Sequence, residues 1–76
     1  MDSAFQVVAI TDQPGAAGEP EAQIFAVRAR TADDALALAK ERLPATWTLS
    51  VTPGFFYAPA VVEGHAIGMN DMARMW

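Results

Sequence analysis

Apolar and polar positions change period several times along the chain, and each change marks an element. From Ala4 to Thr11 (A-F-Q-V-V-A-I-T) two sets interleave, with Phe5, Val7 and Ala9 on one face and Gln6, Val8 and Ile10 on the other. Both sets are largely apolar, which predicts a strand that is central or covered on its second face. Glu21 to Arg30 alternates again, with Phe25, Val27 and Ala29 on one face and Ile24, Ala26, Arg28 and Arg30 on the other. One core face and one wet face are expected there. Arg28 and Arg30 then project side by side, placed either to grip an anionic group or to pair with nearby carboxylates. Between the two strands, Asp12 to Pro20 holds two prolines and two glycines in nine residues and is read as a loop.

The period then switches to that of a helix. Ala32, Ala35, Leu36, Ala39 and Leu43 share one side of a helical wheel from Thr31 to Pro44. Thr31 is a suitable N-cap, its side-chain oxygen placed to accept the N–H of Asp34. Asp33 and Asp34 charge the first turn and Lys40 and Arg42 the last, as the helix dipole favours. Pro44 ends the helix by disfavouring the α conformation at Leu43. Leu38 falls away from the apolar side, flanked by Asp34, Glu41 and Arg42, and is expected to face outward.

Thr46 to Thr52 alternates strictly, with Trp47, Leu49 and Val51 against Thr46, Thr48, Ser50 and Thr52. Pro53-Gly54 reads as a turn, and Phe55 to Val62 as a returning strand. Pro59 makes that strand an edge or gives it a bulge. Phe55 and Tyr57 point one way and Phe56 and Ala58 the other, so one aromatic is expected on the second face. Glu63-Gly64 reads as a further turn. His65 to Gly68 is then a short last strand, and Asn70 to Trp76, with Met69, Met72, Ala73 and Trp76 at helical spacing, is either a short helix or an irregular tail. The expected fold is α+β: an antiparallel sheet of about four strands in ββαββ order, one main helix on one face, and a short C-terminal strand or helix.

At 76 residues the chain is read as one domain, residues 1–76, with no cysteine to staple it. Hydrophobic residues reach 53% while charged residues are 18%, which hints at an apolar surface beyond the core, although much of the excess is alanine. The formal net charge of −4 and five basic residues argue against direct nucleic-acid binding and for a protein partner with a basic surface. The opening M-D-S-A-F-Q lacks a basic, long apolar leader, and no apolar run approaches a bilayer span. The expectation is a cytoplasmic protein that does not engage membranes.

Candidate chemistry is sparse. His65 is the one histidine and reads as an exposed turn residue, with no ligand cluster around it. Ser3 and Ser50 have no neighbouring oriented base. Asp33 and Asp34 are adjacent, so on a helix they diverge by about 100° and cannot share a proton. No enzyme activity, metal or cofactor is expected.

In layout, chain length and charge, the hairpin–helix–strand arrangement from Phe5 through Val51 resembles small acidic phage-encoded inhibitor proteins of the anti-CRISPR type, without a shared residue motif. The resemblance implies a stoichiometric inhibitor that occludes a site on a larger host nucleic-acid-handling complex. Asp33, Asp34, Leu38 and Glu41 on the outer helix side, with Phe56 and Tyr57 at the edge strand, are the expected partner-binding residues. The rival expectation is a structural protein that homodimerises through the apolar edge strand and the Met/Trp tail.

Overall fold

The computed structural model describes residues 3–14, 18 and 20–76. Its elements are β1 (Ser3–Pro14), β2 (Pro20–Ala29), α1 (Ala32–Arg42), β3 (Thr48–Phe56), α2 (Pro59–Gly64) and β4 (Asp71–Arg74). The four strands form one antiparallel sheet in the order β3-β1-β2-β4. The class expected from the alternation holds: α+β, four antiparallel strands, main helix on one face.

β1 and β2 form the central hairpin, pairing Ser3 with Ala29 and Ile10 with Ala22. β3 adds to the free side of β1 (Val7 opposite Val51, Ala9 opposite Leu49), and β4 to the free side of β2 (Val27 opposite Met72). β2 and β3 therefore run parallel with β1 between them, a relation that needs a crossover rather than a tight turn. α1 is that crossover, and it lies against β1, β2 and β3. Its face of the sheet carries the main core: Phe5, Val7, Ala9, Phe25, Val27 and Ala29, closed by Ala35 and Ala39 of the helix. The two alanines let the helix axis approach the sheet closely. Thr31 caps α1 as expected, its Oγ1 accepting the Asp34 N–H at 3.1 Å.

One expectation for the helix is overturned. Leu38 is partly buried and packs on the core cluster with Leu43, Trp47, Leu49 and Val51. At about 100° per residue, Leu36 and Leu38 stand almost equally far from the line through Ala35 and Ala39, on opposite sides. A stripe defined by alanines does not say which way the helix rolls. Packing settles it, and Ala32 is exposed while Leu38 turns inward.

The second difference lies after Gly54. β3 continues through Pro53-Gly54 as a wide irregularity, Val7 facing Val51 but Phe5 facing Phe56, with Gly54 at φ 71°. Of Phe55 to Val62, expected as a returning strand, Phe55 and Phe56 stay in β3 and Pro59 to Val62 fold into α2. Pro59 sits at its start, where a fixed φ and a missing N–H cost nothing. The fourth strand comes instead from Asp71–Arg74, at the opposite edge of the sheet, where a helix or tail was expected.

That route from one sheet edge to the other covers the second face. Ala4, Gln6, Ala26 and Arg28 occupy that face by register, and Ala4 and Ala26 are buried. Ile67, from the segment after α2, is also buried, and its carbonyl accepts from Arg28 Nη1 at 3.0 Å. The second cover expected for β1 is thus residues 57–67. Arg28, expected on a wet face, is half-buried beneath it, while Arg30 is exposed. The expected loop at Asp12–Pro20 is shorter than its composition suggests, since β1 reaches Pro14 and β2 resumes at Pro20. Residues 15–17 and 19 of that loop lie outside the described residues, as do Met1 and Asp2.

Two side-chain ties brace this framework. Asp12 accepts from Thr46 Oγ1 at 2.9 Å and Trp47 Nε1 at 3.1 Å, pinning the chain before β3 to β1. Arg42 at the end of α1 donates to Asp71 Oδ1 at 2.6 Å and to the Asn70 carbonyl at 3.2 Å, joining helix to β4.

The bond from Arg42, with a second from the Met72 N–H, holds the Asp71 carboxyl below the usual carboxylate range. A depressed folded pKa contributes stability that is present above the unfolded value and lost as pH falls through the folded one. The gap in urea midpoint between wild type and Asp71→Asn is therefore expected near neutral pH and should shrink below about pH 4. An undiminished gap at acid pH would show that the carboxylate charge is not what matters.

Ala66 holds φ 52° in the turn after α2, a left-handed conformation unfavourable to a Cβ. Ala66→Gly should stabilise the fold by up to about 1 kcal/mol in urea unfolding, the relief of strain exceeding the added freedom of the unfolded chain. Ala66→Val should destabilise it.

Candidate functional site

Of the six residues expected to meet a partner, three are solvent-facing acids on α1. Asp33, Asp34 and Glu41 are all exposed. Asp33 and Asp34 lie in its first turn, where they also complement the dipole. Leu38 leaves the set, because its side chain is engaged in the core.

Phe56 and Tyr57 fare differently from each other. Phe56 is 55% exposed, yet its ring rests on Phe5 with centroids 5.3 Å apart. Phe55, 39% exposed, meets the Tyr57 ring edge-on at 5.0 Å. The aromatic run is therefore split between faces as its alternation requires. Tyr57 is half-buried, and its hydroxyl accepts from Gln6 Nε2 at 3.2 Å. Gln6 in turn accepts from Thr52 Oγ1 at 2.8 Å through its Oε1. Both ends of one amide are used to fix the tyrosine against β1 and β3. Gln6 reads in the sequence only as the polar member of an apolar face, and that oddity is the signal of its positioning role.

Beside these aromatics, α2 and the start of β1 enclose a cleft of about 310 Å³. Ser3, Ala4 and Arg28 line it from the sheet side. Phe56 and Tyr57 line it from the end of β3, and Pro59, Val62 and Glu63 from α2. The walls are thus mixed, apolar side chains alternating with a guanidinium, a carboxylate and two hydroxyls. The volume falls at the lower end of the range for small-ligand sites. Arg28 was legible as a possible anion grip, but the cleft was not, because its far wall is the helix that the sequence presents as a strand. A smaller hollow of about 190 Å³ lies between Lys40, Pro44, Trp47 and Leu49.

Other arrangements carry little chemistry. Among the described residues no three of His, Cys, Asp and Glu converge in a way that could hold a metal ion. His65 is exposed at the end of α2. No helix of the described residues is long and apolar enough to cross a membrane.

β3 is the outermost strand on its side of the sheet and β4 on the other. The exposed rings of Phe55 and Phe56 therefore stand at the end of a strand whose outer backbone faces no further strand of the sheet. No protein-family model matches the chain, and comparison with curated proteins and with solved structures likewise gives no match.

Proposed function

We propose that this domain is a non-catalytic protein-binding module, acting inside the cell by occluding a site on a larger assembly. The observation that carries the reading is the pair of exposed phenylalanines, Phe55 and Phe56, on open edge strand β3. Burying such rings against a partner yields hydrophobic gain, and the unpaired backbone beside them offers a template for an added strand. The exposed acids Asp33, Asp34 and Glu41, within a net charge of −4, suit a partner with a basic surface. A host nucleic-acid-handling complex of the kind blocked by phage inhibitors fits that charge, and inhibition there would need no chemistry from this chain.

The test is affinity capture from a lysate with wild type and with the double variant Phe55→Ser, Phe56→Ser, the latter checked for unchanged circular dichroism. A nucleic-acid-handling protein enriched by wild type and reduced at least about tenfold by the variant is the expected result, as for loss of a buried aromatic anchor. A capture profile identical for both chains would remove the aromatic edge from the reading.

A second reading, homodimerisation, is favoured by the 75% exposure of Trp76 and 50% exposure of Met69 near β4. Light scattering across a hundredfold range of concentration decides it. A mass rising toward twice the chain's 8.1 kDa, and falling back on Trp76→Ser, is the expected outcome. A constant monomer mass would dismiss it.

A further inference from the structure

We infer that the outer edge of β3, from Thr48 to Thr52, takes up an extended segment of a partner protein as a further antiparallel strand, with one apolar side chain of that segment seated between β3 and the end of α1. The inference rests on the proposed partner surface and gives it a binding mode.

The ladder fixes which backbone groups are free. The Tyr57 N–H donates to the Ala4 carbonyl at 2.9 Å, so the even-numbered residues of β1 turn their backbone groups toward β3. The far side of the sheet agrees: the Arg28 and Ile24 carbonyls of β2 accept from the Asn70 and Met75 amides, which leaves the odd-numbered residues of β1 and β2 to each other. Val8 faces Ser50 and Ile10 faces Thr48, so Ser50 and Thr48 bond inward. Leu49 and Val51 therefore direct N–H and C=O outward, where the sheet has no further strand. This row has defined ends. The Trp47 N–H is taken by the Pro44 carbonyl at 3.1 Å, and Pro53 has no N–H to give. Charged side chains, which commonly blunt a sheet edge, are absent from β3.

The side chains beside this row define what the added strand carries. Leu49 and Val51 face α1 and, with Leu38 and Trp47, are only half-buried against the core. The hollow of about 190 Å³ lies at this margin, lined by Lys40, Pro44, Ala45, Trp47 and Leu49. A residue set opposite Leu49 on an added strand projects to the same face of the sheet and so toward the hollow. The volume is below that of small-ligand sites and suits one branched aliphatic side chain. Trp47 Nε1 donates to Asp12 Oδ1 at 3.1 Å, which fixes one wall before any partner arrives. Lys40 is exposed and makes no ion pair among the described residues. It favours a carboxylate two positions along the added strand, on the same face. A second copy of this chain is the poorer occupant. Its Thr48–Thr52 edge supplies no carboxylate, and joining two such edges sets two Lys40 side chains on one face of the seam.

Titration of the isotopically labelled domain with the acetylated, amidated peptide Thr-Thr-Leu-Thr-Asp-Thr-Thr tests the inference. Saturable NMR shifts at the Leu49 and Val51 amides are expected. Their hydrogen exchange should slow about tenfold with peptide at about ten times its Kd. N-methylation of the peptide leucine, whose N–H faces Leu49, should weaken binding about tenfold, as for loss of one hydrogen bond. N-methylation of the threonine after it, whose N–H faces away, should change binding less than about twofold. Alanine in place of the peptide leucine should cost about tenfold, and lysine in place of its aspartate about threefold. Ala45→Trp, at an exposed position lining the hollow, should weaken binding at least about tenfold with unchanged circular dichroism. The double variant Phe55→Ser, Phe56→Ser should bind the peptide within about twofold of wild type, so this reading and the aromatic anchor fail separately. Equal binding of the two N-methylated peptides, shifts centred elsewhere, or no saturable shift would overturn the assignment. So would Leu49 and Val51 amides that shift with protein concentration alone, which would place a second copy on the edge.

Discussion

β1 carries apolar side chains on both faces, and the rest of the structure follows from the need to cover it twice. A single helix can dress only one face of a sheet. Here the crossover from β2 to β3 places α1 over Phe5, Val7 and Ala9. The journey from β3 to β4 then takes residues 57–67 over Ala4 and Gln6 on the reverse. Neither cover is large. Both are made of short segments with small or medium side chains, and the framework relies on ties such as Asp12 to Trp47 and Arg42 to Asp71 to hold them in register. Strand order is the economical outcome: each long connection crosses one face, and each ends at an opposite edge.

The parts of this arrangement that were legible in the sequence are those encoded by period. Alternation in Phe5–Ile10, Ile24–Ala29 and Trp47–Val51 specifies which side chains share a face, and the structure keeps those faces. The capped, dipole-matched segment after Thr31 specifies a helix. What was not legible depended on geometry between elements. Leu36 and Leu38 are symmetric about the Ala35–Ala39 line, so the roll of α1 had no local signal. Val61 and Val62 favour strands by propensity, yet the segment is helical from Pro59, a residue suited to a helix start. Met72 and Ala73 fit a helical spacing and an alternating one equally over so short a run, and the vacant edge of β2 decided for a strand.

The same distinction explains the candidate sites. Charged and aromatic residues on the surface were recognisable one by one: Asp33, Asp34 and Glu41 are exposed as their types suggest, and Phe56 is exposed against its type, in a run whose two faces are both aromatic. A cleft is a relation between segments distant in sequence. Arg28 and Glu63 line one hollow only because α2 is helical and doubles back over the sheet. Sequence reasoning that assigns residues 55–62 to a strand places Glu63 at a remote turn and leaves Arg28 in water. One misread element thus hides a whole site while leaving the fold class intact.

The central placement of the β1–β2 hairpin has a kinetic consequence. Its strands are joined by a short connection, so they can zip together at small loop-closure cost. β3 must find β1 from about forty residues away, and β4 must find β2 from a similar distance, each after closing a larger loop. The two edge strands dock on opposite sides of the hairpin and make no ladder with each other. Assembly can therefore proceed from a local nucleus by two separate additions, in either order. A mature chain retains that history as two margins that can open independently without dissolving its centre.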